Sequence, residues 1–318
     1  MKLKIVLLEE QTVTSGSDVS FAEFRSLGDV TAYPLTPQDK VIEYVADNEA
    51  AIINKTVFTR GIMEKCPKLK YIGLCATGYN NVDTAAARDL GITVCNCPSY
   101  STDAVAQQVF AYILHFANRI SDYNEDVHAG GWVKSPTFAY FKFPMNELAG
   151  MKLGIIGYGN IGKRTADIAL AFGMDVYVSS RSPKNDDRVR FVSLENIFSE
   201  CDFITLHCPL TESTKELVSA KYLSLCKKSA VIINTSRGGT VNEADLADAL
   251  KNGTIAGAAV DVISEEPMKE TNPLLYAPNC VITPHTAWSP IQTRKRLIKL
   301  AADNLRAFID GKPINQVN

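Results

Sequence analysis

Three polar segments in the last third of the chain each follow a predicted strand and carry a residue type suited to chemistry. They contain Arg237, Glu266 and His285. An arginine presents a permanently charged planar fork that matches a carboxylate. A histidine gives or takes a proton near neutral pH, and a carboxylate bonded to its other ring nitrogen fixes the tautomer. If the fold brings the three together, they combine anion binding with proton transfer.

Each of these residues also has an ordinary structural interpretation. Arg237 would cap a turn, Glu266 would be a surface acid ahead of a proline, and His285 would be a hydrogen-bonded loop histidine. The preceding strands favour the chemical interpretation, because ligands of open parallel sheets gather outside the carboxyl ends of the strands. We therefore predict that the three side chains converge on one catalytic crevice.

A glycine-rich motif earlier in the chain predicts what this crevice holds. Residues 151–162 read Met-Lys-Leu-Gly-Ile-Ile-Gly-Tyr-Gly-Asn-Ile-Gly, with an apolar strand before the last three glycines and an amphipathic helix after them. Such glycines allow a tight turn, a close approach of phosphates to the backbone, and close packing of helix on strand. The unpaired N–H groups of the helix start would bind a dinucleotide pyrophosphate. The residues predicted to do so are Gly157, Gly159, Asn160 and Ile161.

The end of the next predicted strand indicates which dinucleotide is bound. An acidic residue there would bond the adenosine ribose and repel a 2′-phosphate. The sequence instead reads Ser179-Ser180-Arg181-Ser182, so a cation and three hydroxyls stand in that place. NADP(H) is favoured and NAD(H) remains possible, since Arg181 would otherwise be a solvated loop residue and Ser180 tolerates either cofactor. A nicotinamide beside a guanidinium and an acid–base pair suits hydride transfer to a 2-keto acid.

Composition excludes several other classes of protein. The 318 residues carry 33 Lys and Arg against 35 Asp and Glu, with no basic run, so no nucleic-acid partner is expected. No apolar run is long enough for a membrane span, and an early acidic pair argues against a signal peptide. Eight scattered cysteines suggest reduced core residues, and neither they nor the four histidines have metal-site spacing. We therefore expect a cytoplasmic protein without a metal.

Apolar strands alternate with amphipathic helices along the chain, which predicts two parallel α/β sheets. The first domain is predicted to be discontinuous, from residues 1–100 and 290–318, and to bind the substrate. Residues 101–289 would form the inserted dinucleotide-binding domain. The predicted strands are 5–8, 51–54, 71–75 and 93–95 in the first domain, and 153–156, 176–178, 203–207, 231–234, 256–260 and 281–283 in the second.

The segment before the glycine motif is unusually aromatic for a connection between domains. Residues 128–145 include Trp132, Phe138, Tyr140 and Phe141. Exposed aromatic patches mark interfaces, so one interpretation is a homodimer that forms through residues 120–147. In the other interpretation the segment packs on its own domain, and the sequence does not choose between the two.

Taken in order, these motifs resemble those of the D-isomer-specific 2-hydroxyacid dehydrogenase family over nearly the whole chain. The segments that carry the resemblance are 157–162, 207–214, 234–239, 261–267 and 283–285. The resemblance implies a flavodoxin-like substrate domain and an inserted Rossmann domain. It also implies that Arg237 binds the substrate carboxylate, that His285 is the acid–base residue and that Glu266 supports it.

The resemblance implies further contacts as well. Thr77 and Gly78 in the loop 76–83 would bind the substrate carboxylate through backbone amides, and Trp288 would border the substrate. The remaining residues that it assigns to the cofactor are His207, Pro209, Thr235 and Asp261. Gln107 and Gln108 depart from the Glu-His that is usual at these positions in the family.

Within the family, Trp288 and the segment 313–318 are similar to the glycerate dehydrogenase/hydroxypyruvate reductase members. The resemblance therefore implies reduction of hydroxypyruvate or glyoxylate to the D-2-hydroxy acid. Pyruvate or a branched or aromatic 2-keto acid is the alternative substrate. A protein of another class, a dinucleotide-sensing corepressor-like protein with weak catalysis, shares the same fold and the same three residues.

Overall fold

The chain divides into two compact units in a computed structural model that describes residues 2–16, 18–181 and 185–318. Unit 1 comprises Met1–Ser101 and Trp288–Asn318, and unit 2 comprises Thr102–Ala287. The sequence predicts that the discontinuous domain binds the substrate and that the inserted domain binds the dinucleotide. These predictions refer to unit 1 and unit 2, respectively. Strands and helices are numbered below along the chain.

Unit 1 is built on a parallel sheet that has, in the described residues, the order β2-β1-β3-β4-β5. Its strands are β1 (Leu3–Leu7), β2 (Gly28–Ala32), β3 (Ala50–Ile53), β4 (Tyr71–Leu74) and β5 (Thr93–Cys95). Its first helices are α1 (Ala22–Arg25), α2 (Val41–Val45), α3 (Arg60–Glu64) and α4 (Thr84–Asp89). Strands β3 and β4 are buried along their whole length, as expected of parallel strands covered on both faces. The strand order is the flavodoxin-like one.

Unit 2 contains a second parallel sheet, whose order within the described residues is β12-β11-β10-β9-β6-β7-β8. Its strands are β6 (Lys152–Ile156), β7 (Asp175–Ser179), β8 (Arg190–Phe191), β9 (Phe203–Leu206), β10 (Val231–Asn234), β11 (Gly257–Val260) and β12 (Cys280–Ile282). Its helices are α5 (Thr102–Asn118), α6 (Ile120–His128), α7 (Asn160–Ala171), α8 (Leu194–Glu200), α9 (Ala220–Leu223) and α10 (Glu243–Lys251). The strand order reverses at β6, which is the topological switch point of a Rossmann sheet. The predicted two-sheet α/β fold is confirmed.

The chain returns to unit 1 in a long helix, α11 (Ile291–Ile309). Its apolar residues recur every three to four positions, so one face is buried in the core of unit 1. That face includes Leu297, Ile298, Ala301 and Leu305. The buried Asn304 on the same helix donates to the backbone oxygen of Asn96, 2.8 Å away. This bond attaches the C-terminal helix to the segment that follows β5.

Helix α5 opens unit 2 and lies against its sheet. Its buried face includes Val109, Phe110, Tyr112 and Ile113, all in one core with residues of β6 and β10. Gly257, at the start of β11, leaves space for the ring of Phe116, because a Cβ there would lie 2.5 Å from a ring carbon. In the described residues, none of the helices is long and apolar enough to cross a membrane.

Candidate active site

Three neighbouring strands of unit 2 end beside one another and carry the predicted catalytic segments. Strands β10, β11 and β12 pair in parallel register, so their carboxyl ends share one edge of the sheet. Arg237 follows β10, Glu266 follows β11 and His285 follows β12. The order of the strands, which the sequence does not state, is what brings the three loops to one edge.

His285 and Glu266 form a direct pair. The ring Nδ1 of His285 lies 2.7 Å from Oε2 of Glu266, and both side chains are partly exposed. The other carboxylate oxygen, Oε1, accepts the backbone N–H of Ile263 at 3.3 Å, which braces Glu266 within its own loop. A carboxylate accepts a proton donor at Nδ1, so Nε2 is the nitrogen that can exchange a proton with a ligand.

The turn that carries His285 has an unusual backbone. His285 has a φ of +54°, a left-handed conformation that is uncommon for a residue with a side chain. Its N–H donates to the backbone oxygens of Asp261 and Thr283, at 2.8 and 2.9 Å. The Asp261 carboxylate accepts the N–H groups of Thr286 and Ala287, at 2.8 and 2.9 Å. Several hydrogen bonds therefore hold the imidazole in a conformation that its own residue type disfavours.

Asp261 is consequently a structural support as well as a predicted cofactor residue. Its side chain is 2% exposed, and both carboxylate oxygens already accept N–H groups of the His285 turn. Sequence reasoning missed this support, because it depends on a turn 25 residues further along the chain. The contact of Asp261 with the nicotinamide stays a prediction.

Arg237 is exposed in the loop next to that of Glu266. One of its guanidinium nitrogens, Nη1, donates to the backbone oxygen of Ser236 at 2.7 Å. The buried Asn234 fixes the turn, because its amide donates to the backbone oxygen of Arg237 at 2.9 Å. At Gly238 an added Cβ would lie 1.8 Å from the carbonyl carbon of Ile263. The backbones of the Arg237 and Glu266 loops therefore touch, and only glycine fits at their contact.

The glycine motif has the geometry of a phosphate-binding turn. Gly157 has a φ of +98°, and a Cβ there would lie 2.7 Å from the backbone of His207 and Cys208. A Cβ at Gly162 would lie 2.2 Å from the oxygen of Gly157, so the close packing of α7 on the turn requires glycine. The Cβ position of Gly159 is open, with no described atom within 4 Å. Asn160 and Ile161 form the first turn of α7, whose N–H groups suit a phosphate.

A second group of residues links the glycine motif to Asp186 and Arg188. Tyr158, the buried residue between the first two motif glycines, donates its hydroxyl to Asp186 at 2.8 Å. Arg188 bonds both oxygens of Asp186 and also Asp167 of α7. The Arg188 guanidinium and the Tyr158 hydroxyl hold the pKa of the Asp186 carboxyl well below its usual range. Sequence reasoning missed this network, which links the glycine motif and α7 to residues 186–188.

Ser180 and the exposed Arg181 directly follow β7, as predicted, while Ser182 lies outside the described residues. The acidic residue that follows most closely in the described chain is Asp186. That carboxylate is bound by the guanidinium of Arg188. The exposed charge nearest to the end of β7 along the described chain is therefore the cation of Arg181.

Three predicted cofactor residues follow β9 and β10. The Nε2 of His207 lies 3.1 Å from the Thr205 hydroxyl, and burial lowers the pKa of His207 to about 3, so the ring is neutral. Pro209 is exposed two residues later. The Thr235 hydroxyl is buried and has no hydrogen-bond partner among the described residues. A buried hydroxyl without a partner fits a site that a polar ligand group completes. With the open glycine turn, it shows that unit 2 suits a dinucleotide.

Thr77, Gly78 and Trp288 belong to unit 1. Thr77 is held in its loop by two bonds, from its hydroxyl to the oxygen of Cys97 at 2.9 Å and from the Asn96 amide to its own oxygen at 2.7 Å. Trp288 packs edge-on against Tyr100. Their contact with a substrate held by Arg237 stays a prediction.

Comparison with known proteins identifies the family. The model of the NAD-binding domain of D-isomer specific 2-hydroxyacid dehydrogenases matches residues 110–287. A hydroxypyruvate reductase of Blautia hydrogenotrophica is 40% identical over 99% of this chain and 100% of its own length. A glycerate dehydrogenase of Methylorubrum extorquens is 39% identical over 100% of this chain and 99% of its own.

A solved structure shares the fold. It is an NADPH-dependent glyoxylate/hydroxypyruvate reductase of Sinorhizobium meliloti in complex with NADP and malonate, with a TM-score of 0.85 and 28% identity. The match covers 100% of this chain and 97% of that one. The match of the family model and the full-length relatives confirm the resemblance seen in the motifs, and the chain belongs to the D-isomer specific 2-hydroxyacid dehydrogenase family.

Proposed function

We propose that the protein reduces hydroxypyruvate or glyoxylate to the corresponding 2-hydroxy acid with a nicotinamide dinucleotide. The observation that carries the proposal is the His285–Glu266 pair, 2.7 Å apart, in a loop that touches the Arg237 loop at Gly238. The same unit carries the dinucleotide turn, so a proton donor, an anion-binding group and a cofactor site lie on one sheet. The relatives named hydroxypyruvate reductase and glycerate dehydrogenase support this choice of substrate.

Each of the three side chains has a distinct part in the reaction. The Arg237 guanidinium binds the substrate carboxylate as a fork and polarises the neighbouring keto group. His285 donates the proton on Nε2 to the keto oxygen, while Glu266 keeps Nδ1 protonated and stabilises the charged ring. The glycine turn at Gly157 and Gly159 would hold a dinucleotide, which would supply the hydride for C2 of the keto acid. Thr77 and Gly78 would add backbone amides to the carboxylate.

Steady-state rates with a panel of keto acids test the proposal. Hydroxypyruvate, glyoxylate, pyruvate and phenylpyruvate are each measured with NADPH and with NADH. We expect the highest kcat/KM with hydroxypyruvate or glyoxylate. A preference for pyruvate or phenylpyruvate would contradict this choice of substrate and would assign the protein to another substrate class of the family. Tight dinucleotide binding with negligible turnover of all four acids would contradict an enzyme and favour the sensor interpretation.

We further propose that NADP(H) is the preferred cofactor. The end of β7 offers serines and the exposed Arg181 cation in place of an acid. The closest following acid, Asp186, is neutralised by Arg188 and so repels a 2′-phosphate less. A guanidinium suits a phosphate because it bonds two oxygens at once.

Replacing the residues after β7 should invert the cofactor preference. The substitution S180D places a carboxylate beside the ribose, and with R181A the cation is lost as well. We expect kcat/KM with NADPH to fall by about tenfold or more in the double variant, because a charge-assisted bond is lost and a repulsion is gained. The rate with NADH should hold or rise. The cofactor preference is measured as the ratio of kcat/KM with NADPH to kcat/KM with NADH. The variant K163A, at the start of α7, is the control for a general loss of positive charge. An unchanged ratio in the double variant would contradict the proposal.

We also propose that the protein forms a homodimer through the arm, defined as residues 120–147. Phe138 and Phe141 are 91% and 88% exposed in the single chain. The arm is nevertheless ordered by its own bonds, such as that of the Tyr140 hydroxyl with Asp126 at 2.6 Å. Outward-facing aromatic rings on a preformed segment favour the interface over packing on the same chain.

Charged substitutions in the arm should dissociate the dimer. We expect F138D/F141D to sediment as a monomer in analytical ultracentrifugation at micromolar concentration, because charged groups would replace two rings that the proposed interface buries. L35D, at an exposed leucine of unit 1, is the control and should sediment like the unsubstituted protein. A monomeric unsubstituted protein, or a dimer that withstands both aspartates, would overturn the proposed interface.

A cytoplasmic location remains a prediction. It is supported by the state of the eight cysteines, which are all thiols, six of them buried. Thiols in this number are typical of reducing compartments.

A further inference from the structure

A chain of hydroxyl groups connects helix α5 to the support of the catalytic histidine. The hydroxyl of Tyr112 bonds that of Thr283, and the Thr283 hydroxyl bonds Oδ1 of Asp261. Tyr112 and Asp261 are 3% and 2% exposed, so solvent does not replace these bonds easily.

The chemistry of the last member fixes the direction of every bond in this chain. An ionised carboxylate accepts only, so the single proton of the Thr283 hydroxyl is donated to Asp261. The Thr283 oxygen must then accept, and the proton between the two hydroxyls comes from Tyr112. Aligned bonds of this kind polarise one another and strengthen the whole chain.

We propose that Tyr112 is a positioning residue that holds Thr283 and Asp261, and through them the left-handed turn of His285, in the geometry for proton donation. The proposal rests on the proposed role of His285. It assigns a role to a residue of α5 that is buried in the core of unit 2. Burial raises the pKa of the Tyr112 phenol, so it keeps its proton and remains a donor.

The energetic reason lies in the His285 turn. Its positive φ is unfavourable for histidine, so the turn needs support from outside the residue itself. Asp261 gives that support with both carboxylate oxygens. A carboxylate that lost the Thr283 bond would be underbonded in a buried place and would rotate towards other donors. The N–H groups of Thr286 and Ala287 would move with it, and the imidazole would leave the position from which it donates its proton.

The test compares two single variants with a matched control. Y112F removes one hydroxyl and keeps the ring, and T283V removes the Thr283 hydroxyl at nearly the same volume. Each should lower kcat for keto-acid reduction about five- to tenfold, which is what the loss of one hydrogen bond next to a charge implies. The KM for NADPH should change less than kcat does, since the glycine turn is untouched. Y222F, whose hydroxyl lies near the surface residue Glu195, should keep the original kcat.

Two further readouts separate positioning from a general structural effect. The solvent deuterium isotope effect on kcat should rise in Y112F and T283V, because proton donation by a misplaced imidazole becomes slower than the other steps. In the background T283V, adding Y112F should cost little more, because the phenol acts through the Thr283 hydroxyl. For position 283, T283S keeps the hydroxyl and should retain most of the activity, whereas T283V should behave like Y112F.

The outcomes distinguish this inference from the proposed function. If H285A abolishes turnover but Y112F keeps the original kcat and isotope effect, the positioning role is wrong and the proposed function stands. A fall in kcat of Y112F with an unchanged isotope effect and a lower melting temperature would also overturn it, because it indicates a loss of folded protein only. If H285A keeps its activity, the proposed function itself fails.

Discussion

Replacement of His285 by alanine is expected to lower kcat for hydroxypyruvate by about a thousandfold, the usual contribution of a positioned acid. The keto oxygen would then take its proton from water, without the imidazole that Glu266 orients at 2.7 Å. The dissociation constant of NADPH, measured by fluorescence titration, should change by less than about twofold, because the cofactor turn and His285 follow different strands of the sheet, β6 and β12.

The matched control for this prediction is another histidine in the same unit. His128 is exposed on α6, and H128Q should keep the original kcat. A kcat of H285A within about tenfold of the original would contradict the role of His285 as proton donor, since general acids contribute more than that. A proportional loss of NADPH binding would instead point to damage to the whole crevice.

Replacement of Arg237 by alanine should lower kcat/KM for hydroxypyruvate by about a thousandfold. The guanidinium binds the carboxylate in the ground state and polarises the keto group in the transition state, so both KM and kcat should be affected. The lysine variant R237K keeps the charge but loses the planar fork, and its activity should lie between those of arginine and alanine.

Chemical rescue makes the second prediction sharper. Arg237 is exposed, so guanidinium added to R237A can reach the vacated position. It should restore part of kcat/KM in R237A and none in H285A. Equal and small effects of H285A and R237A, with no rescue, would contradict the assignment of either residue to the reaction.

Much of the fold was predictable from the sequence because fully buried parallel strands are apolar. Strands such as β4 (Tyr71–Leu74) and β10 (Val231–Asn234) are buried along their whole length, and their residues are mostly apolar. Two strands were not predicted. The strand β2 (Gly28–Ala32) lies at the edge of the sheet, and its positions range from buried to exposed. It therefore lacks the continuous apolar run of a central strand. In β8 (Arg190–Phe191), two residues are too few for any periodic pattern.

The pairing at the centre of the site was predictable, whereas its supports were not. His285 and Glu266 stand out because each follows a strand and each has a chemical residue type. Asp261 was predicted only as a cofactor contact, because its bonds to the His285 turn depend on a left-handed backbone conformation that the residue types do not predict. Tyr112 looks like an ordinary core residue of an apolar helix. Its partner Thr283 lies 171 positions away, and only the packing of α5 on the sheet brings them together.

The close approach at Gly238 has a practical consequence for anyone who redesigns this enzyme. Altering substrate choice by diversifying the loops is common, and position 238 must be left out of such a library. A methyl group there would strike the main chain at Ile263 and push the guanidinium-bearing segment away from the one with the carboxylate. Variation at the exposed neighbour Ser264 spares that spacing. In a library that also varied position 238, useful substitutions elsewhere in the loops would be lost because they occur in the same variant as an inactivating one.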